Sequence, residues 1–236
     1  MTKSLVLKIS MDKFYLKIFV IIFSLCCSFP VMAGEESYDF TTSIDAGISK
    51  KFFKRLRVGL TGSASLKENS ITLDKLSSKA DVSYMVVRKV LKVGVSYYAI
   101  AKNRDNDFFF NQRFQGYTNV KYDINRFSFA WRSRYQMTYR PEKKEEKQWI
   151  NYWRNKFSFT AKIPKVPLYS CLAAELFYRT NNYKGNYITK LRYEGALKYE
   201  FDKKNSLKLY YQYDDPVNVK KLKNVSNLGL SYQFSF

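Results

Sequence analysis

Ten charged side chains are the best candidates for chemistry in this 236-residue chain. Most of them lie two positions from another member of the set. They are Arg132, Arg134, Arg154, Lys156, Glu175, Lys190, Arg192, Glu194, Lys198 and Glu200. Arginine and lysine attract anions and pair with carboxylates, and two neighbouring carboxylates can exchange protons as acid and base. Three hypotheses follow: a charge-paired interior, an anion-selective pore, and an acid–base pair of Glu175 with Glu194. Salt bridging is the favoured role of these carboxylates because they lie among arginines.

The chain contains no histidine. This excludes Ser-His-Asp hydrolysis, Cys-His chemistry and every histidine-ligated metal site. We therefore expect no enzymatic activity, no cofactor and no metal site. Asp105-Asn106-Asp107 lacks the rest of a calcium motif, so a solvated turn is the expected structure there. Cys171 is the one cysteine downstream of the predicted leader, so no internal disulfide is expected.

The elements that position these groups alternate between apolar and polar residues with a period of two. This period indicates β-strands, and the ten charged residues fall on the polar faces. The segments approach the roughly ten residues that cross a lipid bilayer at a tilt. Aromatic residues make up 18% of the chain, as suits a protein at a water–lipid boundary. We predict an all-β fold, an antiparallel up-and-down transmembrane β-barrel with the charges in its lumen. A soluble β-sandwich is the alternative.

The number of strands is open between ten and twelve. A barrel with both termini in the periplasm needs an even number, yet eleven segments alternate. Either one strand is missed, or the first segment, at about residues 38–48, lies outside the wall. Short connectors are expected to alternate with long outer ones. The long ones lie near residues 67–74, 102–107, 140–147, 180–185 and 215–224.

Residues 1–33 have the pattern of a cleaved signal peptide. Lysines precede an apolar run at residues 18–27, and Val31-Met32-Ala33 predicts cleavage between Ala33 and Gly34. The apolar run is too short for a spanning helix. Residues 34–236 are then the barrel domain. Translation starts at Met1 or Met11, and the sequence leaves this open.

Four motifs and the carboxyl-terminal segment resemble an uncharacterised family of Gram-negative outer-membrane β-barrels of the DUF2490 type. The motifs are Arg132-Ser-Arg-Tyr-Gln136, Arg154-Asn-Lys156, Glu175-Leu-Phe-Tyr178 and Lys190-Leu-Arg-Tyr193, and the ending is Leu228-Gly-Leu-Ser-Tyr-Gln-Phe-Ser-Phe236. The resemblance spans most of the chain after the leader. It implies a barrel and an outer-membrane location, and it carries no established activity.

The last segment resembles the recognition signal that the barrel-assembly machinery reads on its substrates. Phe236 is the terminal residue, and Phe234 and Tyr232 precede it at alternate positions. We expect these residues to act as a membrane-insertion signal. The other interpretation is an ordinary amphipathic edge strand.

The charge balance is +21, from 41 lysines and arginines against 20 acidic residues. A nucleic-acid partner is not expected, because the basic residues are spread along the strands without a recognition helix or zinc motif. The expected partners are outer-membrane lipid and, during biogenesis, the barrel-assembly machinery. Basic outer loops such as Lys220-Lys221-Leu222-Lys223 either contact lipopolysaccharide phosphates or are simply solvated. The oligomeric state is left open.

Taken together, these patterns predict an integral outer-membrane barrel of a Gram-negative cell with no assignable enzymatic activity. The favoured function is that of a small structural barrel with a charge-paired lumen. The alternative is an anion-selective passive pore for small acidic solutes or oligosaccharides. A lipid- or sugar-processing enzyme is the third and least favoured hypothesis. Trp149, Tyr152, Trp153 and Tyr187 are expected to form an aromatic girdle near the outer loops.

Overall fold

The computed structural model describes residues 37–236 apart from 105–106, 144, 182–184 and 219–222. The predicted signal peptide and its cleavage site at Ala33 and Gly34 lie outside the described residues. The same holds for Asp105-Asn106 of the acidic turn and for residues 220–222 of the basic outer loop.

The described part of the chain folds into eleven β-strands, where the alternation of apolar and polar residues predicts them. One helical turn, α1 (Glu145–Gln148), precedes the seventh strand. The strands are β1 (Ser37–Phe52), β2 (Leu56–Lys67), β3 (Thr72–Val87), β4 (Leu91–Arg104), β5 (Asp107–Ile124), β6 (Phe127–Tyr139), β7 (Trp149–Lys162), β8 (Leu168–Arg179), β9 (Tyr187–Glu200), β10 (Asn205–Pro216) and β11 (Lys223–Ser235).

The strands close into a barrel in which each strand pairs antiparallel with its neighbours in the chain. The expectation of an even number is wrong, because the structure has eleven strands and the first lies in the wall. An odd number of up-and-down strands leaves the first and the last pointing the same way. β1 therefore pairs parallel with β11, with Thr42 opposite Leu228. As a result, the start of β1 and the terminal Phe236 lie at opposite ends of the barrel.

The connectors differ in length between the two ends of the barrel. We call the end at which Phe236 lies the C-terminal end, and the opposite end the loop end. Two of the connectors that were predicted to be long are short. Lys67 still pairs with Thr72, and Arg104 still pairs with Asp107, so these hairpins close over few residues. Polar side chains at a strand end do not prevent backbone pairing. Connectors at the C-terminal end are 53–55, 88–90, 125–126, 163–167 and 201–204. Those at the loop end are 68–71, 105–106, 140–148, 180–186 and 217–222.

The barrel wall is apolar on the outside and polar on the inside. Outward side chains such as Ile44 and Phe157 are 66% and 61% exposed. Inward side chains such as Gln136, Arg154 and Glu175 are buried. This confirms the predicted assignment of faces, and the closed barrel overturns the alternative of a β-sandwich, whose core would be apolar. No helix in the described residues is long and apolar enough to cross a membrane.

Two inward glycines let a tyrosine of the neighbouring strand lie flat across the backbone. A Cβ atom at Gly229 would come within 2.1 Å of the Tyr210 ring, and one at Gly94 within 2.6 Å of the Tyr117 ring. Such aromatic cover of a glycine fixes the register of neighbouring strands. Tyr210 extends over β11 and donates a 2.9 Å hydrogen bond to Asp45 of β1. This contact stabilises the parallel closure.

Of the residues predicted to form an aromatic girdle, two lie on the outer surface and one does not; the girdle itself stays a prediction. Trp149 and Trp153 lie on the outer surface and are about half exposed. Tyr152 lies on the inner face, which it shares with Arg154, and its ring centroid is 6.3 Å from that of Phe177. Successive side chains of a strand point to opposite faces, and Tyr152 is an odd number of positions from each tryptophan. It therefore falls on the face opposite theirs.

Candidate functional site

The inner faces of β6 to β10 bring eight of the ten predicted charged residues into one region of the lumen. Each of three carboxylates there is shared by two or more cations, and we call these ion-pair groups the Glu175, Glu194 and Asp214 clusters. Lys198 and Glu200 lie apart from them, near the C-terminal end.

The Glu175 cluster is the most buried of the three. Arg154 Nε and Nη2 donate to the two carboxylate oxygens of Glu175 over 3.1 and 2.9 Å. A second guanidinium, that of Arg132, lies 3.7 Å from the same carboxylate. Arg154 also donates to the side-chain oxygen of Gln136 over 2.8 Å. A bidentate arginine–carboxylate pair in a buried place fixes both side chains, because losing either partner leaves an uncompensated charge.

The Glu194 cluster joins three strands through lysines. Lys156 of β7 and Lys208 of β10 each lie 2.6 Å from a different carboxylate oxygen of Glu194 on β9. The amide of Gln212 donates to the same carboxylate over 3.1 Å. The carboxylate of Glu194 is thus fully engaged by two charges and one amide.

The Asp214 cluster contains an acceptor that the sequence analysis missed. Arg192 donates to the two oxygens of Asp214 over 2.5 and 2.8 Å, and Lys190 donates over 2.7 Å. Asp214 lies directly opposite Arg192 in the β9–β10 ladder. Asp214 lies on the same polar face of β10 as Lys208 and Gln212. The alternation of polar residues along this strand could have identified it as an inward-facing residue. Its position beside the predicted loop at residues 215–224 concealed this alternation.

A phenylalanine inside the polar lumen, Phe177, was also missed. The cationic groups of Arg154, Lys190 and Arg192 lie 4.0, 4.3 and 5.4 Å from its ring centroid. Cations over an aromatic face are attracted by the ring quadrupole. Phe177 therefore links the Glu175 and Asp214 clusters. Its distance of two residues from Glu175 places it on the inner face and was the available signal.

Of the three predicted residues outside the clusters, Arg134 forms no ion pair among the described residues, and the other two form a pair of their own. Lys198 lies 2.6 Å from Glu200, and both side chains are more than one-third exposed. Exposed ion pairs contribute little to stability, about 0–1 kcal/mol. Lys198 and Glu200 were among the predicted residues because they lie on the same polar face of β9 as the residues of the clusters.

Glu175 and Glu194 were considered as a catalytic acid–base pair. In the structure, cations bind both carboxylates. A general acid or base needs a carboxyl group that can reach the proton it transfers. Among the described residues, no group of three or more Asp, Glu or Cys side chains is arranged to hold a metal ion. The expectation that the chain is not an enzyme stays a prediction.

The carboxyl-terminal residues lie on the outer surface, on the face that the alternation predicts. Tyr232 is half exposed and Phe236 is 63% exposed. The rings of Phe234 and Phe236 meet edge to face at 4.7 Å. The backbone N–H of Phe236 donates to the carbonyl oxygen of Ser49 over 2.8 Å, which extends the closure to the last residue. Their role as an insertion signal stays a prediction.

The described end of the predicted basic outer loop forms an ion pair with β1. Lys223 lies 3.3 Å from Asp39 of β1, at the loop end of the closure. At the C-terminal end, Asp202 accepts hydrogen bonds from Lys204 and Asn205 in the turn before β10. These hydrogen bonds hold the pKa of the Asp202 carboxyl below its usual range.

A sequence profile of the family described as a protein of unknown function, DUF2490, matches residues 44–217. This range takes in β2 to β10 and all three ion-pair clusters. The chain belongs to the DUF2490 family. No curated protein matches this DUF2490 chain. Eleven chains of known structure do match. One of them, described as "Unveiling the Mechanism Behind the in-meso Crystallization of Membrane Proteins", is 8% identical, with a TM-score of 0.37 over 74% of this chain and 76% of that chain.

Proposed function

We propose that this DUF2490 protein is an integral outer-membrane β-barrel whose lumen is held together by charge pairs and which serves a structural role. The observation that carries the proposal is the inverted polarity of the wall. Large apolar side chains such as Ile44, Val95 and Phe157 face outward, while Arg154 and Glu175 are buried inside. A barrel of this polarity buries its apolar area only when lipid surrounds it.

The dimensions of the wall support the same proposal. The strands contain between 12 and 18 residues, and about 9–11 tilted residues cross the hydrocarbon core of a bilayer. Closure of the barrel pairs the backbone groups of β1 with those of β11. A spanning sheet needs such closure, because lipid offers no partner to an unpaired N–H or C=O group.

The ion-pair clusters support a structural interior in this half of the barrel. Glu175, Glu194 and Asp214 each link side chains from different strands. Cations at hydrogen-bonding distance from these carboxylates are not available to attract a passing solute. The clusters therefore act as fixed cross-links between β6 and β10 and occupy the lumen that they line.

Membrane fractionation tests the proposal directly. The full chain is expressed in a Gram-negative host, and the two membranes are separated by density. We expect the protein at outer-membrane density, resistant to alkaline carbonate and released by detergent. It should also migrate faster on gels before heating than after, as a folded barrel does. Recovery from a soluble fraction without detergent would overturn the proposal.

A second candidate, an anion-selective pore, is favoured by cations that have no carboxylate partner. Among the described residues, Arg57, Lys92 and Arg134 form no ion pair, although all three face the lumen. Unpaired cations lower the barrier for anions and raise it for cations. Planar-bilayer recordings of the purified protein under a salt gradient separate the candidates. A silent bilayer with a folded barrel supports the structural role, and anion-selective steps support the pore.

A further inference from the structure

A cavity of about 240 Å³ lies in the half of the lumen that the ion-pair clusters leave free. Its wall is formed by the inner faces of β1 to β6 and by Gln233 of β11. The cavity differs from the clustered half in its charge. Arg57, Lys79, Lys92, Arg132 and Arg134 line it together with a single carboxylate, that of Asp81, which leaves an excess of four positive charges.

The carboxylates near the cavity are already engaged. Asp81 lies 3.2 Å from Lys79. Arg132 has only a 3.7 Å contact with Glu175, whose oxygens also accept the bidentate pair from Arg154. Two guanidinium groups therefore share one negative charge, which leaves a net charge of +1 on the three side chains. The excess charge is thus not neutralised within the described residues.

Several donors at the cavity have weak partners or none. Arg57 donates to the hydroxyl of Ser49 over 2.8 Å, and Arg134 donates to the amide oxygen of Gln115 over 3.1 Å. Both acceptors are neutral. The Nε atoms of Arg132 and Arg134 are buried and have no hydrogen-bond partner in the structure. A buried donor without a partner is costly, so an acceptor that enters here gains more than it would at the surface.

We propose that this cavity, which we call the cationic cavity, binds a small water-soluble phosphate ester, with the phosphate held by Arg134, Arg132 and Lys92. A phosphate dianion carries several acceptor oxygens and matches the planar donors of two guanidinium groups. Neutral hydrogen-bonding groups complete the wall, among them Tyr117 and Asn119. These suit the hydroxyl groups of a sugar or another polyol attached to the phosphate.

A lipid headgroup carries the same phosphate chemistry and is the other source to consider. The lining of the cavity is dominated by charged, amide and hydroxyl side chains. Its apolar surface is small and comes from Ile48 and the rings of Tyr98 and Tyr117, which is too little for an acyl chain to lie along. The polar lining therefore favours a soluble ester.

This inference deepens the proposed barrel, because it rests on the inward orientation of β2 to β6, but it does not require insertion into a membrane. Binding is measured on the full chain purified in detergent, whose barrel is verified by circular dichroism and heat-dependent gel migration. The probes are inorganic phosphate, glucose 6-phosphate, glucose and lysophosphatidic acid. The readouts are isothermal titration and the ligand-dependent shift in Tm.

We expect saturable binding of glucose 6-phosphate, weaker binding of inorganic phosphate and none of glucose. The variant Lys92→Gln/Arg134→Gln should weaken binding by about tenfold for each residue, since each loses a charge-assisted contact. The control Lys54→Gln/Lys89→Gln removes two positive charges from turns at the C-terminal end and should bind as the parent does.

Three results would overturn the inference. The first is a folded parent protein that binds none of the phosphates. The second is equal affinity in the cavity variant, which would place any binding elsewhere. The third is a lysophosphatidic acid that binds more tightly and displaces glucose 6-phosphate, which would assign the site to a lipid headgroup. Failure to reach the outer membrane in the fractionation experiment would overturn the proposed function and leave this binding result standing.

Discussion

At the scale of single residues, the interior of this barrel depends on charges that need one another. Arg134 lies directly opposite Arg154, and Arg132 lies directly opposite Lys156, in the β6–β7 ladder. Like charges in facing positions repel, so a carboxylate must reach into the group to offset them. Glu175, on the neighbouring strand, is the residue that does so.

The first prediction concerns this carboxylate. Replacement Glu175→Gln leaves Arg154 buried without a counter-charge and should lower the free energy of unfolding by about 3–5 kcal/mol. Urea-induced unfolding in detergent measures the change. The matched control is Glu200→Gln, which removes the same charge from an exposed pair and should cost less than about 1 kcal/mol. Equal effects of the two variants would contradict a special role for Glu175.

A second residue-level prediction concerns the glycine beneath Tyr210. Replacement Gly229→Ala places a methyl group where the Tyr210 ring lies. We expect a loss of about 1–3 kcal/mol, because the ring must move and its hydrogen bond to Asp45 is lost. Gly62→Ala is the control, since nothing lies within 4 Å of a Cβ atom there. In a Tyr210→Ser background, where no ring lies over the backbone, Gly229→Ala should cost much less than in the parent, and an equal cost in the two backgrounds would argue against this explanation.

At the scale of elements, each strand has two chemically opposite faces that a single position separates. On β7, Phe157 faces outward while its neighbours Lys156 and Ser158 face inward. The alternation holds along all eleven strands, apart from register shifts in the β2–β3, β3–β4 and β8–β9 ladders. The faces were therefore predictable from sequence, because they depend on the period of the strand alone.

The prediction at this scale compares an arginine within the wall with one at its edge. Phe157→Arg places a charge on the outer surface of a strand, and Ile71→Arg places one in a connector at the loop end. If lipid surrounds the wall, the first should cost about 2–4 kcal/mol and the second about 0–1 kcal/mol. Outer-membrane yield and urea titration in lipid vesicles measure both. Similar costs would contradict the membrane-spanning proposal.

At the scale of the whole molecule, the parallel pairing of β1 with β11 determines which ends of the chain share a side of the barrel. The pairing brings together residues almost two hundred positions apart, such as Thr41 and Asn227, whose side chains are hydrogen bonded over 3.1 Å. It also places Tyr38, Ser226 and Tyr211 in mutual hydrogen-bonding contact at the outer side of the closure.

Engineered cysteines test this closure. In a Cys171→Ser background, Thr41→Cys with Asn227→Cys should form a disulfide under mild oxidation, because the two residues face each other in the parallel ladder. The shift in non-reducing gel migration reports the bond. Thr41→Cys with Ser235→Cys is the control and should stay reduced, since Ser235 lies opposite Ser49. Cross-linking of the control pair alone would contradict the parallel register, and cross-linking of neither pair would argue that β1 lies outside the wall.

The sequence alone determined the strands, their polar and apolar faces, the inward position of the ten charged residues and the family resemblance, because all of these depend on local alternation or on short motifs. It did not determine the parity of the barrel or the true lengths of the connectors at the loop end. It also did not separate Glu194, which binds Lys156 and Lys208, from Glu200, which lies in an exposed pair.

Those features depend on contacts between residues far apart in the chain. Only closure decides that β1 meets β11, and only register decides that Asp214 lies opposite Arg192. Whether a lumenal cation has a carboxylate partner depends on the strands that face it across the interior, which no local pattern encodes. The tertiary structure therefore decided the division of the lumen into a charge-paired half and a cationic cavity.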